Sequence, residues 1–470
     1  MPRRSSLLLP TLLATSLLTA CGGGGGDTTA DAADTPTDQS ASAPRPRPAG
    51  TAQVNLDTDL VVQLRRDVQI GPLLQAHRLT QVDQFGQRPI YQLRIATGGN
   101  LDSVLRALQQ DQRVRFAERH VASATPEGRR NSVWLIGGDS AIYAAQWAPQ
   151  QLNLPAAHAL STGLGVRVAV LDTGIDSRHP ALSGRLARNG AGAVLGRDFV
   201  DDDQVADEGG GSGDLGWGHG THVAGLVALA APGARLMPVR VLDARGRGNT
   251  WVLAEGLAWA VDPDGNPATD DGAHVINLSL GTTEPTELLS LAVNLATCQF
   301  DDDDDDFQDV RFDADRARCA RGHGAVVAAA AGNSGSDVEK QYPAAEDVKG
   351  TLSVAASTSA QRVASFSNWG SWVRVAAPGE AIVSTLPGGR WGSWSGTSMA
   401  APLVAGSAAL LLATVPKDGQ PGLPTQRQWS LEDVMKRLTD RSAGLCGSSL
   451  RRIDPLAALA DRQADDAACP

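Results

Sequence analysis

The sequence predicts an α/β fold of three layers around a mostly parallel central sheet, preceded by a small α+β module. Between residues 166 and 331, short and nearly continuous apolar runs alternate with helical patterns, as strands buried on both faces of a parallel sheet require. A shorter block near the N-terminus carries an alternating strand, a capped amphipathic helix and a further short strand. The chain has 470 residues, which leaves room for one small and one large domain after a low-complexity N-terminal stretch is set aside.

Residues 1–20 read as an export signal. Arg3 and Arg4 make the start positive, and the apolar run at 7–18 is shorter than the ~20 residues a spanning helix needs. Leu18-Thr19-Ala20-Cys21 resembles the lipobox of bacterial lipoproteins. That resemblance implies cleavage before Cys21 and lipid on its sulfur and new amino group, hence a membrane anchor. Gly22 in the next position points to the outer membrane where a cell has two. Residues 21–50, almost all Gly, Asp, Thr, Ala and Pro, cannot offset their ordering entropy and form a flexible tether. The formal charge of -11 argues against nucleic acid as a partner.

Removing Cys21 to lipid leaves Cys298, Cys319, Cys446 and Cys469, an even number in an exported chain. Sequence does not choose among the possible pairings. The local ones, Cys298 with Cys319 and Cys446 with Cys469, are favoured because each closes a loop of ~20 residues, stabilising by roughly 3 kcal/mol.

The α+β module spans residues 51–126, a linker follows at 127–145, and the main domain runs over 146–465. In the module, residues 90–95 alternate like a half-buried strand, Asn100 caps a helix with Leu101, Val104, Leu105 and Leu108 on one face, and residues 114–117 form another strand. In the main domain, strands are expected at 166–171, 236–242, 273–280 and 325–331, and helices at 221–229, 250–261, 286–297 and 398–412. Open sheets of this kind place their active sites at the carboxyl ends of the strands.

Candidate catalytic residues fall there. Asp172 follows an apolar strand, where a buried carboxylate can hold an imidazole in one tautomer and stabilise its cation. His219 opens Gly218-His219-Gly220-Thr221-His222 at the start of a helix, with glycines on both sides to admit a substrate. Asn333 follows the strand at 325–331, where its amide can donate to an oxyanion. Ser398, in Gly396-Thr397-Ser398-Met399-Ala400, starts another helix, where unpaired N–H groups favour developing negative charge. His222 lacks a third zinc-type ligand after it and reads as structural, and His179-Pro180 reads as scaffold.

In the order Asp, His, Asn, Ser, these segments resemble those of subtilisin-family serine proteases over about residues 146–459. The resemblance implies a three-layer subtilisin-like domain that hydrolyses peptide bonds of protein or peptide substrates through an acyl-enzyme. In it Ser398 is the nucleophile, His219 the general base and then acid, Asp172 its orienting partner and Asn333 the oxyanion donor. The N-terminal module resembles the family's propeptide, which implies a chaperone and temporary intramolecular inhibitor, cut off between residues 118 and 147. Ser279, Leu280 and Gly281 resemble one wall of the S1 pocket, with Ala330, Ala331 and Gly332 facing them. Gly246, Arg247 and Gly248 resemble the stretch that pairs with an extended substrate. Arg247 is unusual there and suggests a preference for acidic residues before the scissile bond, worth up to ~1 kcal/mol.

The chemistry needs no cofactor. Asp198, Asp201 and Asp203 resemble a calcium loop of some relatives, with hard oxygen ligands suited to structural Ca2+. The aspartate run at 301–306 departs from the family pattern and reads as a self-repelling, solvated loop that could shape substrate access. The expected product is an exported, lipid-anchored, self-processed monomer whose catalytic domain could be released. A surface adhesion or binding lipoprotein on an inactive protease scaffold is the rival. A lipase fits less well, because Ser398 lacks a Gly-x-Ser-x-Gly elbow.

Overall fold

The structure, a computed structural model, describes residues 54–129, 135–300, 305–346, 348–414, 429–466 and 469. The export signal, Cys21 and the tether lie outside the described residues, as do Asp301, Asp302, Asp303 and Asp304.

The N-terminal module is a four-stranded antiparallel sheet in the order Leu79–Gln84, Ile90–Ile95, Asp59–Leu64, Val114–Arg119, with helices Ile70–His77 and Leu101–Gln109. The expected cap is present: the Asn100 side chain accepts the Ser103 N–H at 2.8 Å. The central strand Asp59–Leu64 escaped the alternation criterion because both its faces are buried. Leu60, Val62 and Leu64 enter the module's own core, while Val61 packs with Phe85, Ile90 and Trp251 in a cluster shared with the main domain.

The main domain carries a nine-stranded sheet in the order Ala443–Gly444, Arg451–Arg452, Val375–Pro378, Thr351–Ser357, Val326–Ala330, Val275–Leu278, Arg167–Asp172, Arg235–Arg240, Arg197–Asp198. All neighbours are parallel except the first pair. Alternate side chains of the Arg167–Asp172 strand divide between two layers. Val168 and Val170 pack under the helices His219–Ala230 and Thr397–Leu412, whereas Ala169 and Leu171 pack under Thr250–Val261 and Glu287–Thr297. This is the three-layer α/β arrangement expected from the apolar runs.

The strands Thr351–Ser357 and Val375–Pro378 were not anticipated. Their Ala- and Ser-rich sequences have weak strand propensity, and small side chains suit a sheet whose faces both meet helices. Disulfides join Cys298 to Cys319 and Cys446 to Cys469, with Cα–Cα distances of 5.4 and 5.5 Å. Among the described residues, no helix is long and apolar enough to cross a membrane.

The module docks through polar as well as apolar contacts. The Glu118 carboxylate accepts the Glu287 and Leu288 N–H groups at 2.8 and 3.0 Å, capping the Glu287–Thr297 helix from outside. The end of the acidic insert, expected to be solvated, is a clasp instead. Asp306 is buried and accepts Arg115 Nη1 at 2.6 Å and the Arg66 N–H at 3.0 Å, and Asp315 pairs with Arg88 at 2.6 Å. Burial pushes the Glu118 carboxyl up to about 7. A carboxyl raised above its usual 4.5 costs docking stability as pH climbs from there through about 7.

Candidate active site

The four candidate catalytic residues converge at the carboxyl ends of the central strands, as the fold requires. Asp172 is the last residue of its strand and His219 the first of its helix, and Asp172 Oδ1 lies 2.7 Å from His219 Nδ1. Asp172 Oδ1 also accepts the Thr173 N–H at 2.7 Å, which fixes the carboxylate. The imidazole leans on Trp394, their ring centres 5.5 Å apart. His222 stacks on the same indole at 5.0 Å with its Nε2 near the Gly392 carbonyl, a structural histidine whose pKa burial lowers to about 3. His179 is likewise buried scaffold, its Nε2 3.1 Å from the Arg390 carbonyl.

Ser398 occupies the second position of its helix, so its own N–H has no partner within the helix. Asn333 is oriented by two hydrogen bonds to its Oδ1, from the N–H and the hydroxyl of Thr397, both at 2.9 Å. That leaves its Nδ2 pointing to the space beside Ser398. Gly396 borders the same space, and a Cβ there would lie 3.1 Å from Asn333 Nδ2.

A fifth residue, Glu127, fills that space. Its Oε2 accepts the Ser398 hydroxyl at 2.8 Å and lies 3.2 Å from His219 Nε2, while its Oε1 accepts Asn333 Nδ2 at 2.9 Å. A carboxylate thus bridges His219, Ser398 and Asn333, the candidate base, nucleophile and oxyanion donor. Burial alone would lower the His219 pKa, but the charge and hydrogen bond of Asp172, joined by those of Glu127, outweigh it and raise it to about 10. The side chains on either side of the ring thus favour the protonated imidazole.

The chain reaches Glu127 along the groove expected for substrate. Residues Ala122–Ala124 pair antiparallel with Arg247–Asn249, and the Thr125 N–H donates to the Gly246 carbonyl at 3.1 Å. On the other side Ala124 and Gly281 exchange both backbone hydrogen bonds, at 2.9 and 3.0 Å. Gly246, Arg247, Gly248 and Gly281 therefore act as a strand-pairing groove. Leu280 and Ala331 face the core instead, and Ser279 touches Ser398, its hydroxyl donating to the Ser398 carbonyl at 2.8 Å. Next to Gly332, Asn333 lines a cavity of about 190 Å³ with Pro126, Thr283, Ser334, Lys340 and Gln341 among others. Apart from Asn333, the sequence reading missed those pocket residues, which lie in irregular segments without periodicity.

The calcium expectation is corrected here. Asp198 Oδ2 accepts Arg240 Nη1 at 2.7 Å, Asp201 pairs with the same nitrogen, and the second oxygen of Asp198 accepts the N–H groups of Val200 and Asp201. Asp203 Oδ1 caps the Val205 N–H. Two of the three carboxylates expected to hold Ca2+ converge on a guanidinium and the third is taken by a backbone N–H, so the donor set does not fit the ion. Asp198 is only 1 % exposed, and replacing Arg240 by methionine leaves it buried without its cation. We expect Arg240→Met to cost about 3–5 kcal/mol in urea unfolding; a cost below about 1 kcal/mol refutes the pairing.

The geometry is joined by independent similarity. The family profile described as "Subtilase family" matches residues 163–464, well over half of the chain. The chain belongs to the Subtilase family. Among curated relatives, it is 36% identical to the Thermophilic serine proteinase of Bacillus sp. (strain AK1) over 324 residues, covering 67% of each chain. It is 37% identical to Thermitase of Thermoactinomyces vulgaris over 283 residues, 58% of this chain and 84% of that one. With Subtilisin BL of Lederbergia lenta, identity is 36% over 314 residues, 65% of this chain and 93% of the relative. This subtilase is accordingly a serine endopeptidase, and the α+β module at 59–119 lies before the matched region.

Proposed function

We propose that the chain is the latent precursor of an exported, lipid-anchored subtilisin-like endopeptidase. Its chemistry runs through Ser398, His219, Asp172 and Asn333. The observation that carries the reading is the convergence of His219, Asn333 and Ser398 on a single carboxylate from the segment that follows the N-terminal module, with Asp172 on the far side of the imidazole. Once that segment leaves, His219 Nε2 can accept the Ser398 proton as the hydroxyl attacks a peptide carbonyl. Asp172 holds the imidazolium, and Asn333 donates to the oxyanion. His219 then protonates the leaving amine, and water resolves the acyl-enzyme. Ala122 to Ala124 follows the substrate path, which supports an extended peptide bound by strand addition.

Export and lipidation rest on the residues up to Cys21, and self-processing on the position of Glu127. Processing between residues 118 and 147 would separate the catalytic domain from the lipid and release it. A fluorophosphonate probe should label a fragment that starts in that interval. If no label appears either before or after a trace of foreign protease clips the linker, the binding-protein reading replaces this one.

The closed state should also open with alkali. A histidine raised from 6.5 to about 10 contributes stability that is fully present below 6.5 and lost as pH rises through about 10. We expect labelling of the intact chain, normalised to the clipped enzyme, to rise by up to about tenfold per pH unit across that window. A flat ratio contradicts the imidazolium bridge.

A further inference from the structure

Glu208 lies in the loop that leads to the His219 helix, outside the four residues that carry the chemistry. That helix has a weak start. Its N-cap is Gly218, with φ of 84° and no side chain to satisfy the free N–H groups of the first turn. Glu208 satisfies one of them from outside the helix: its Oε2 accepts the Thr221 N–H at 3.1 Å and the Thr221 hydroxyl at 2.7 Å.

The other carboxylate oxygen reaches the strand side. Oε1 accepts the Thr173 hydroxyl at 2.5 Å, and that hydroxyl in turn accepts the Gly220 N–H at 2.9 Å. Thr173 is also the residue whose N–H fixes Asp172 Oδ1. One carboxylate therefore ties the residue after Asp172 to the residues after His219, on the two elements whose separation sets the Asp172–His219 hydrogen bond. The residue as a whole is only partly buried, but its carboxylate is desolvated. Burial pushes it up to about 7, hydrogen bonds from Thr173 and Thr221 oppose that, and Asp172 is the charged neighbour that adds to it.

We propose that Glu208 is a positioning residue for the Asp172–His219 pair, and that in its ionised form it also supports the imidazolium that forms when His219 takes the Ser398 proton. The proposal rests on the protease reading above. It differs from an ordinary structural carboxylate in one measurable respect. Where Glu208 is ionised, removing its charge close to Asp172 makes the imidazolium less favourable, so the acid limb of the pH profile must move down, by less than a fully ionised neighbour would give.

The test uses clipped enzyme, with active sites counted by fluorophosphonate, and kcat and KM measured across the pH profile. Glu208→Gln should lower kcat per titrated site by about tenfold with KM within about twofold, and move the acid limb of kcat/KM down by about half a pH unit. Glu208→Asp keeps the charge and should return the limb to its parent position while keeping part of the kcat loss. Thr173→Val cuts the link while leaving the Glu208 side chain and its Thr221 hydrogen bonds in place and should also lower kcat, so the test survives if Glu208→Gln does not accumulate. Parent limb position in Glu208→Gln, or parent kcat per site in both Glu208→Gln and Thr173→Val, overturns the role of Glu208. A parent protein that never labels overturns the protease reading itself, and this role with it.

Discussion

Replacing Ser398 by alanine should abolish peptide hydrolysis and fluorophosphonate labelling, with a loss of about a millionfold in kcat, the size known for loss of the nucleophile in the family's prototype. The fold should survive. In clipped protein, where Glu127 has left, the Ser398 hydroxyl keeps its hydrogen bond to the Ser279 carbonyl, so its removal costs about 1 kcal/mol of stability. The comparison is made on clipped protein, with circular dichroism and the melting temperature beside turnover. Residual hydrolysis within tenfold of the parent enzyme would mean that another nucleophile or a contaminating protease does the work.

Replacing Glu127 by alanine should have the opposite sign. In the intact chain, the carboxylate holds Ser398, His219 and Asn333 through charge-assisted contacts, each worth about 1.5–3 kcal/mol when formed in a desolvated site. Losing them should raise the labelling rate of the uncut chain by at least about 100-fold, which corresponds to ~2.7 kcal/mol. Intact mass of the labelled species shows that the chain has not been cut. Glu127→Gln should lie between, because an amide still fills the space but carries no charge for His219. Labelling of intact Glu127→Ala as slow as the parent, while clipped parent labels fast, would mean that the backbone of residues 122–125 blocks the site without help from the side chain.

Much of this was legible in the sequence, and for identifiable reasons. The strand ends and helix starts that carry Asp172, His219, Asn333 and Ser398 could be read because burial on both faces forces continuous apolar runs, and glycines mark the close approaches. At Gly220, for instance, a Cβ would meet the Gly174 carbonyl oxygen at 2.1 Å, so only glycine lets the His219 helix approach the Asp172 loop this closely. The strand Thr351–Ser357 was not legible, because its small residues are chosen by the helices on either side and carry no pattern of their own.

The acidic segments were misread for a related reason. Asp198 and Asp201 do gather around a cation, but that cation is Arg240, 39 residues beyond Asp201. Asp306 likewise meets Arg65 and Arg115, far back in the N-terminal module. Spacing along the chain gives the local supply of carboxylates and says nothing about which distant guanidinium folds back onto them.

Sequence alone thus determined the layers, the helix start that carries Ser398 and the strand ends and helix start that carry Asp172, Asn333 and His219, because each depends on short-range periodicity or on glycine at a crowded turn. Glu127 and Glu208 were decided only by the tertiary structure. Both are glutamates in irregular segments without a motif, and each acquires its chemistry from hydrogen-bond partners brought from distant parts of the chain. Glu127 meets His219, Asn333 and Ser398, and Glu208 meets Thr173 and Thr221. A carboxylate in water is an ordinary solvated group. It becomes a plug or a brace only where folding removes the water and supplies donors in its place.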